Sequence, residues 1–193
     1  MKLIGLIALI FISNNLYAGT EAVVNFDGEN CAAWKTKKTM LLVKSLEPIG
    51  KNCSVKAEVQ NKDNKKLIKV TIPIKDFNSG EEKRDREVLS ILSEKDHPDI
   101  IFTTSEIQRI KSITVNDKPV DIKGKIEVKG KVFDILFKLN KKRREQSVYF
   151  NAVSVTKYSK LGLKPPSVAG GLVARVKDYL ELHLWFNENK IDL

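Results

Sequence analysis

Residues 122–139 read Ile-Lys-Gly-Lys-Ile-Glu-Val-Lys-Gly-Lys-Val-Phe-Asp-Ile-Leu-Phe-Lys-Leu. Ile122, Gly124, Ile126 and Val128 alternate with Lys123, Lys125 and Glu127. After the turn-like pair Lys129-Gly130, Phe133, Ile135, Phe137 and Leu139 keep the same period of two. Successive side chains of an extended chain point to opposite faces of a sheet, so each run presents one apolar and one more polar face. The short turn makes the two runs hairpin neighbours.

The pattern recurs outward from this hairpin. Ile68, Val70, Ile72 and Ile74 alternate with Lys69, Thr71, Pro73 and Lys75, and Leu180, Leu182, Leu184 and Phe186 mark a last strand. Residues 40–46 and 55–59 read as an early pair around Gly50-Lys51-Asn52. Residues 100–107 follow Pro98, residues 110–115 end at the turn Asn116-Asp117-Lys118-Pro119, and residues 147–156 are rich in β-branched and aromatic side chains. Residues 140–144 read as a turn. Roughly eight to ten strands are expected, with no internal repeat and no linker dividing the chain.

One segment has helical character. Ser79-Gly80-Glu81-Glu82 fits a capping box, Val88, Leu89, Ile91 and Leu92 form an apolar stripe, and Pro98 forbids continuation. Residues 161–175 contain Pro165-Pro166 and Gly170-Gly171 and cannot form a central strand; a lid-like loop with a helical turn is expected there. Many antiparallel strands must lose their edges, and closing the sheet does so. About eight strands make a barrel wide enough to be filled by side chains or to hold one small ligand. A two-layer sandwich satisfies the same alternation.

The first eighteen residues read as a secretory signal: Lys2, an apolar run over residues 3–12, a polar Ser13-Asn14-Asn15, and a small-residue site at Ala18 before Gly19. The run is about half the length of a permanent membrane anchor, although an uncleaved anchor is the competing reading. Removing 18 of 193 residues leaves 175, residues 19–193, enough for one domain with a sizeable core. The net charge moves from +10 to +9 with the loss of Lys2. Export argues against a nucleic-acid partner, and the basic residues alternate along strands as on solvated faces. The dense run Lys141-Lys142-Arg143-Arg144 is expected to cap an exposed hairpin turn, with docking on anionic lipid headgroups as the sharper alternative. In an oxidising compartment Cys31 and Cys53 are expected to pair as a disulfide rather than stay as separate buried thiols.

The central segment carries a family resemblance. Phe77-Asn78-Ser79-Gly80 leads to Lys83-Arg84-Asp85, then Val88-Leu89, then His97-Pro98-Asp99-Ile100-Ile101-Phe102. Gly124 to Gly130 adds a Gly-x-Ile-x-Val-x-Gly hairpin. Leu161-Gly162-Leu163, Pro165-Pro166-Ser167, Gly170-Gly171 and Val176-Lys177-Asp178 precede the alternating leucines. In order and spacing these motifs resemble the YceI-like family over residues 20–188. The resemblance implies an all-β fold, a lipocalin-like antiparallel barrel of about eight strands with one short helix between strands. It also implies an exported periplasmic or secreted protein that holds a polyisoprenoid or fatty-amide-like lipid without turning it over. The chain departs from the family pattern at Trp34-Lys35-Thr36-Lys37-Lys38 and at Ile91-Leu92, where members carry a phenylalanine and histidine and a Phe-Phe-type pair.

The inward apolar face is therefore the candidate ligand site: Ile72, Phe102, Ile122, Ile126, Phe133, Phe137, Phe150, Leu182, Leu184 and Phe186. Arg84 and His97 are candidates to meet a ligand headgroup. The competing reading has Arg84 and Asp85 fastening the helix and His97 as a turn residue. His183 shares a strand face with Tyr179 and Trp185, opposite the leucines, and is read as exterior. Two histidines in different elements do not make a multi-His metal centre, and no phosphate loop or nucleophile motif appears, so neither a cofactor nor enzymatic activity is expected. The leading reading is a carrier for a long-chain apolar ligand, with a homodimer left open. The alternatives are a filled-barrel envelope interaction module with a basic docking surface, and an enzyme acting on a lipid-like substrate.

Overall fold

A computed structural model of the chain describes residues 22–40, 44–62, 65–168 and 174–191. The export signal read in residues 1–18 lies outside them, as do residues 41–43 and Gly170-Gly171. Among the described residues the alternating runs become strands β1 (Asn30–Met40), β2 (Lys44–Leu46), β3 (Ile49–Asn52), β4 (Lys56–Lys62), β5 (Lys65–Pro73), β6 (Asp99–Thr104), β7 (Val120–Val128), β8 (Lys131–Arg144), β9 (Ser147–Thr156), β10 (Ser167–Val168) and β11 (Ala174–Asn187). The helices are α1 (Glu82–Leu92) and α2 (Ile107–Lys111). All pairings are antiparallel. They follow one path, β2-β1-β11-β9-β8-β7-β6-β5-β4, with β3 also beside β1 and β10 beside β11.

The β7–β8 hairpin turns on Lys129 and Gly130, both at positive φ, 53° and 68°. That is the two-residue turn whose twist suits a hairpin, and the second position favours glycine. The register sets Ile126 opposite Phe133 and Ile122 opposite Phe137. The apolar set thus faces the core, while Lys125–Asp134 at 2.9 Å and Lys138–Asp121 at 3.0 Å pair on the outside.

The sheet curls into a lipocalin-like barrel that no continuous ladder strictly closes. The seam is carried by residues 44–62: β2 and β3 pair with β1, and β4, after a bend at Cys53-Ser54-Val55, pairs with β5. Asn52, only 1% exposed, fastens the bend. Its side chain donates to the Pro73 carbonyl at 2.6 Å and accepts from the Ser54 N–H at 2.7 Å. Lys51 and Asn78 exchange two backbone hydrogen bonds, and the Cys31–Cys53 disulfide ties β1 to the same corner.

Several elements differ from the sequence reading. Gly50-Lys51-Asn52 is strand β3, not a turn. Residues 110–115 are not a strand. Thr104 ends β6 by donating its hydroxyl to the Lys123 carbonyl and accepting the Glu106 N–H, and α2 begins at Ile107. Ile107, Ile110 and Ile113 are all buried, at the spacing of one helical face rather than a strand. The capping box does not form: the N-cap is Glu81, with no side-chain cap bond. Instead the Asp85 carboxylate accepts the Ser79 N–H at 3.0 Å, and Arg84 donates to the Ser79 carbonyl and pairs with Glu81. Helix α1 ends at Leu92, before Pro98 acts, because Ser93 takes the left-handed conformation, φ 53°. The basic run lies within β8, and the turn falls at Glu145-Gln146. Residues 159–161 supply the expected helical turn of the late loop.

Strand β1 is buried on both faces through Thr36, because residues 22–29 cross its outer side. Phe26 stacks on Trp185, which stacks on Tyr149, with centroids 6.0 and 4.6 Å apart. Arg144 donates to the Phe26 carbonyl at 2.7 Å and lies over the Tyr149 ring. Further along, Lys35 is 3% and Glu181 8% exposed. Glu181 accepts from Lys35 at 3.1 Å and from the Tyr179 hydroxyl at 2.7 Å, and pairs with His183 Nε2 at 2.7 Å. Lys35 also donates to the Ala22 carbonyl, and Glu47 accepts the Ala22 N–H. His183 is on the outer face, as read, but half-buried. Burial works against the charge of Glu181, yet the hydrogen bonds from Tyr179 and Lys35 with the His183 and Lys35 charges hold its carboxyl below the ordinary range. Burial pushes His183 down, with Lys35 and Lys142 adding to that and Glu181 opposing it.

Two outcomes follow. Replacing both members of the bridge, Cys31→Ala with Cys53→Ala, lowers the unfolding free energy by about 3 kcal/mol in urea titrations, the loop-entropy value for this separation. Lowered folded-state values for His183 and Glu181 mean that the unfolded chain binds their protons first. Stability therefore falls as pH drops below the ordinary histidine value of 6.5 and falls again below the carboxylate value of 4.5. In His183→Gln the upper step of the urea midpoint against pH flattens while the lower one remains.

Candidate ligand-binding cavity

The inner faces of the strands do not fill the barrel. A cavity of about 130 Å³ lies between the sheet and the elements that cover it, with α1 contributing Val88, Ile91 and Leu92 and the late loop contributing Tyr158, Leu161 and Leu163. A second, smaller cavity of about 50 Å³ lies against Ile68, Val70, Ile110 and Ile191. Both are lined chiefly by side chains that the period-two alternation turns inward.

Of the expected ligand residues, Ile72, Phe102, Ile126, Phe137, Leu182 and Leu184 line the larger cavity. Ile122, Phe150 and Phe186 line the smaller one, where Phe102, Phe137 and Leu184 appear again. Phe133 lines neither; its ring packs against Gly162 of the late loop. His97 is likewise away from both, with its ring over Gly130 of the β7–β8 turn. Arg84 does reach the wall of the larger cavity, while its guanidinium also holds Ser79 and Glu81.

The sequence reading missed Trp34, Tyr158, Leu161 and Leu163. Trp34 faces inward because β1 pairs it with Leu182. Its indole N–H is buried and has no hydrogen-bond partner. Tyr158 is bonded to Thr36, whose own hydroxyl donates to the Tyr179 carbonyl at 2.7 Å. Burial pushes the Tyr158 phenol up, the Thr36 bond opposes this and Glu87 adds to the rise, so the hydroxyl is neutral at physiological pH; because the Thr36 proton goes to Tyr179, the Tyr158 proton is the one shared with Thr36. Thr36, Lys38, Arg84, Glu87, Tyr158 and the His183 position are the polar members of a lining that is otherwise apolar. Such a cavity removes hydrocarbon from water and can orient one end of it with a few donors. Among the described residues there is no cluster of three or more metal-ligating side chains, and no helix is long and apolar enough to cross a membrane.

Comparison with known proteins agrees with this geometry. A search of curated proteins found no match. Among solved structures, BcnA of Burkholderia cenocepacia is similar at a TM-score of 0.59 and 16% identity, covering 80% of this chain and 94% of its own. A polyisoprenoid binding domain from Saccharophagus degradans, implicated in plant cell wall breakdown, aligns at 0.55 and 10% identity over 80% of this chain and 91% of its own. A mutant YceI protein from Campylobacter jejuni, crystallised with a monobromobimane guest, aligns at 0.50 and 14% identity over 96% and 99%. At these identities the likeness is one of fold. The sequence itself matches the family model described as YceI-like domain over residues 25–185, and the chain belongs to that family.

Proposed function

We propose that the protein is a non-catalytic carrier that shelters a long-chain apolar ligand, of the isoprenoid or fatty-amide class, inside the barrel. The observation that carries this reading is the apolar cavity of about 130 Å³ on the inward face of the sheet. Each buried methylene contributes about 0.8 kcal/mol, so a hydrocarbon chain binds without a specific polar contact, less the cost of its lost freedom. The buried, unpartnered indole N–H of Trp34 is a donor available to a ligand oxygen, and the Tyr158 hydroxyl, whose proton is shared with Thr36, can accept from a ligand hydroxyl. The polyisoprenoid named for the Saccharophagus degradans domain makes that class the first to test. We place the protein in the periplasm or outside the cell. The signal-like residues 1–18 and the Cys31–Cys53 disulfide support an oxidising compartment beyond a membrane.

The interaction-module reading loses half of its docking patch. Lys141 is buried and bonded to Glu188 at 2.6 Å, and Arg144 holds Phe26, so two of the four basic side chains act within the fold.

Organic extraction of protein purified from its own host, followed by mass spectrometry, is expected to release a long-chain lipid at near one equivalent; empty protein that also fails to take up isoprenoid or fatty-amide chains would overturn the reading. Binding is expected to change little with added salt, because buried hydrocarbon is not screened. Leu182→Trp fills the larger cavity. Excluding two methylenes weakens binding by about 15-fold in calorimetric titrations.

A further inference from the structure

The two cavities are separated by side chains that they share. Phe102 from β6, Phe137 from β8 and Leu184 from β11 line both. Each comes from a different part of the sheet, and each is at least nine-tenths buried. The two rings meet edge to face, with centroids 5.1 Å apart and planes at 71°, the arrangement that aromatic pairs prefer. Behind Phe102 stands Gly124, the one gap in the apolar series of β7. A Cβ there would lie 2.3 Å from Cε2 of the Phe102 ring, so the absent side chain is the seat on which the ring rests. Phe102 is thereby held between the backbone of β7 and the edge of Phe137.

We propose that Phe102 and Phe137 form an internal partition that sets the length of hydrocarbon chain the barrel accepts. The inference rests on the carrier reading and deepens it. A chain in the larger cavity extends until it meets the two rings. Up to that point every added methylene finds apolar walls. Beyond it, the chain gains contact only by turning the rings aside into the smaller cavity, and a close-packed interior resists that displacement. The smaller cavity is the continuation that the partition withholds. The ligand class selected is an acyclic chain with a limiting length, and Phe102 and Phe137 are the residues that set the limit.

The test uses the full mature protein and a homologous series of straight-chain primary alcohols, lengthened one methylene at a time. Affinity in the unaltered protein is expected to rise by about four-fold per methylene and then break to a plateau. In Phe102→Ala and in Phe137→Ala the cavities merge, and the break moves to longer chains. Circular dichroism reports whether each variant folds. If alanine is not tolerated, Phe137→Met keeps most of the volume on a flexible side chain and is expected to move the break in the same direction. A series with no break, or a break at the same length in every folded variant, overturns the partition while leaving the carrier standing. Failure of every alcohol to bind the unaltered protein overturns the partition, and refusal of isoprenoid and fatty-amide chains as well overturns the carrier with it.

Discussion

The structure depends on bringing the two ends of a curved sheet together without leaving open strand edges. Unpaired backbone groups at an edge invite pairing with other chains, and burying them without partners is costly. Here one stretch, residues 44–62, serves both ends, giving its first half to β1 and its second to β5. The corner between the halves is where regular pairing fails. It is also where the Asn52 side chain, the Lys51–Asn78 exchange and the disulfide gather. Side chains and a covalent link take over where the ladder stops, and the hollow inside exists because they do.

A second consequence appears on the outside of β1 and β11. Residues 22–29 cover that face, so a strand pair that could have been half-solvated becomes buried on both sides. The covered face carries a lysine and a glutamate, and such groups are tolerated inside a protein only when matched. Glu181 has Lys35, Tyr179 and His183 around it. Lys35 in turn reaches the backbone of the covering segment. The network makes the cover and the barrel interdependent.

How much of this was legible depended on whether one face of an element met water. The β7–β8 hairpin and the leucines of β11 announced themselves because lysine, aspartate or histidine alternated with apolar side chains, and most of their inward members line the cavities. Strand β1 did not, since both its faces are covered and its apolar members Ala32 and Trp34 sit among charged residues whose burial depends on distant segments. Ile107, Ile110 and Ile113 did carry a helical spacing. Proximity to the period-two run of β6 hid it, and the Thr104 side chain that ends the strand acts through Lys123, nineteen residues away. Phe133 follows the inward alternation of β8 but meets the late loop instead of the hollow. Whether an inward residue meets a void or a neighbour is a property of packing that no single strand encodes.

The pairing of Asn30 with Phe186 joins the first long strand to the last. A chain that emerges N-terminus first, from a ribosome or a translocation pore, can pair one edge of β1 with β2 and β3 almost at once, but must keep its other edge open until nearly every other residue has followed. Local hairpins such as β7–β8 form early, because few residues separate their strands. The β1–β11 seam requires closing almost the whole chain as a loop. The interior compartment is therefore a late product of folding, absent from any nascent intermediate that lacks the C-terminal strand.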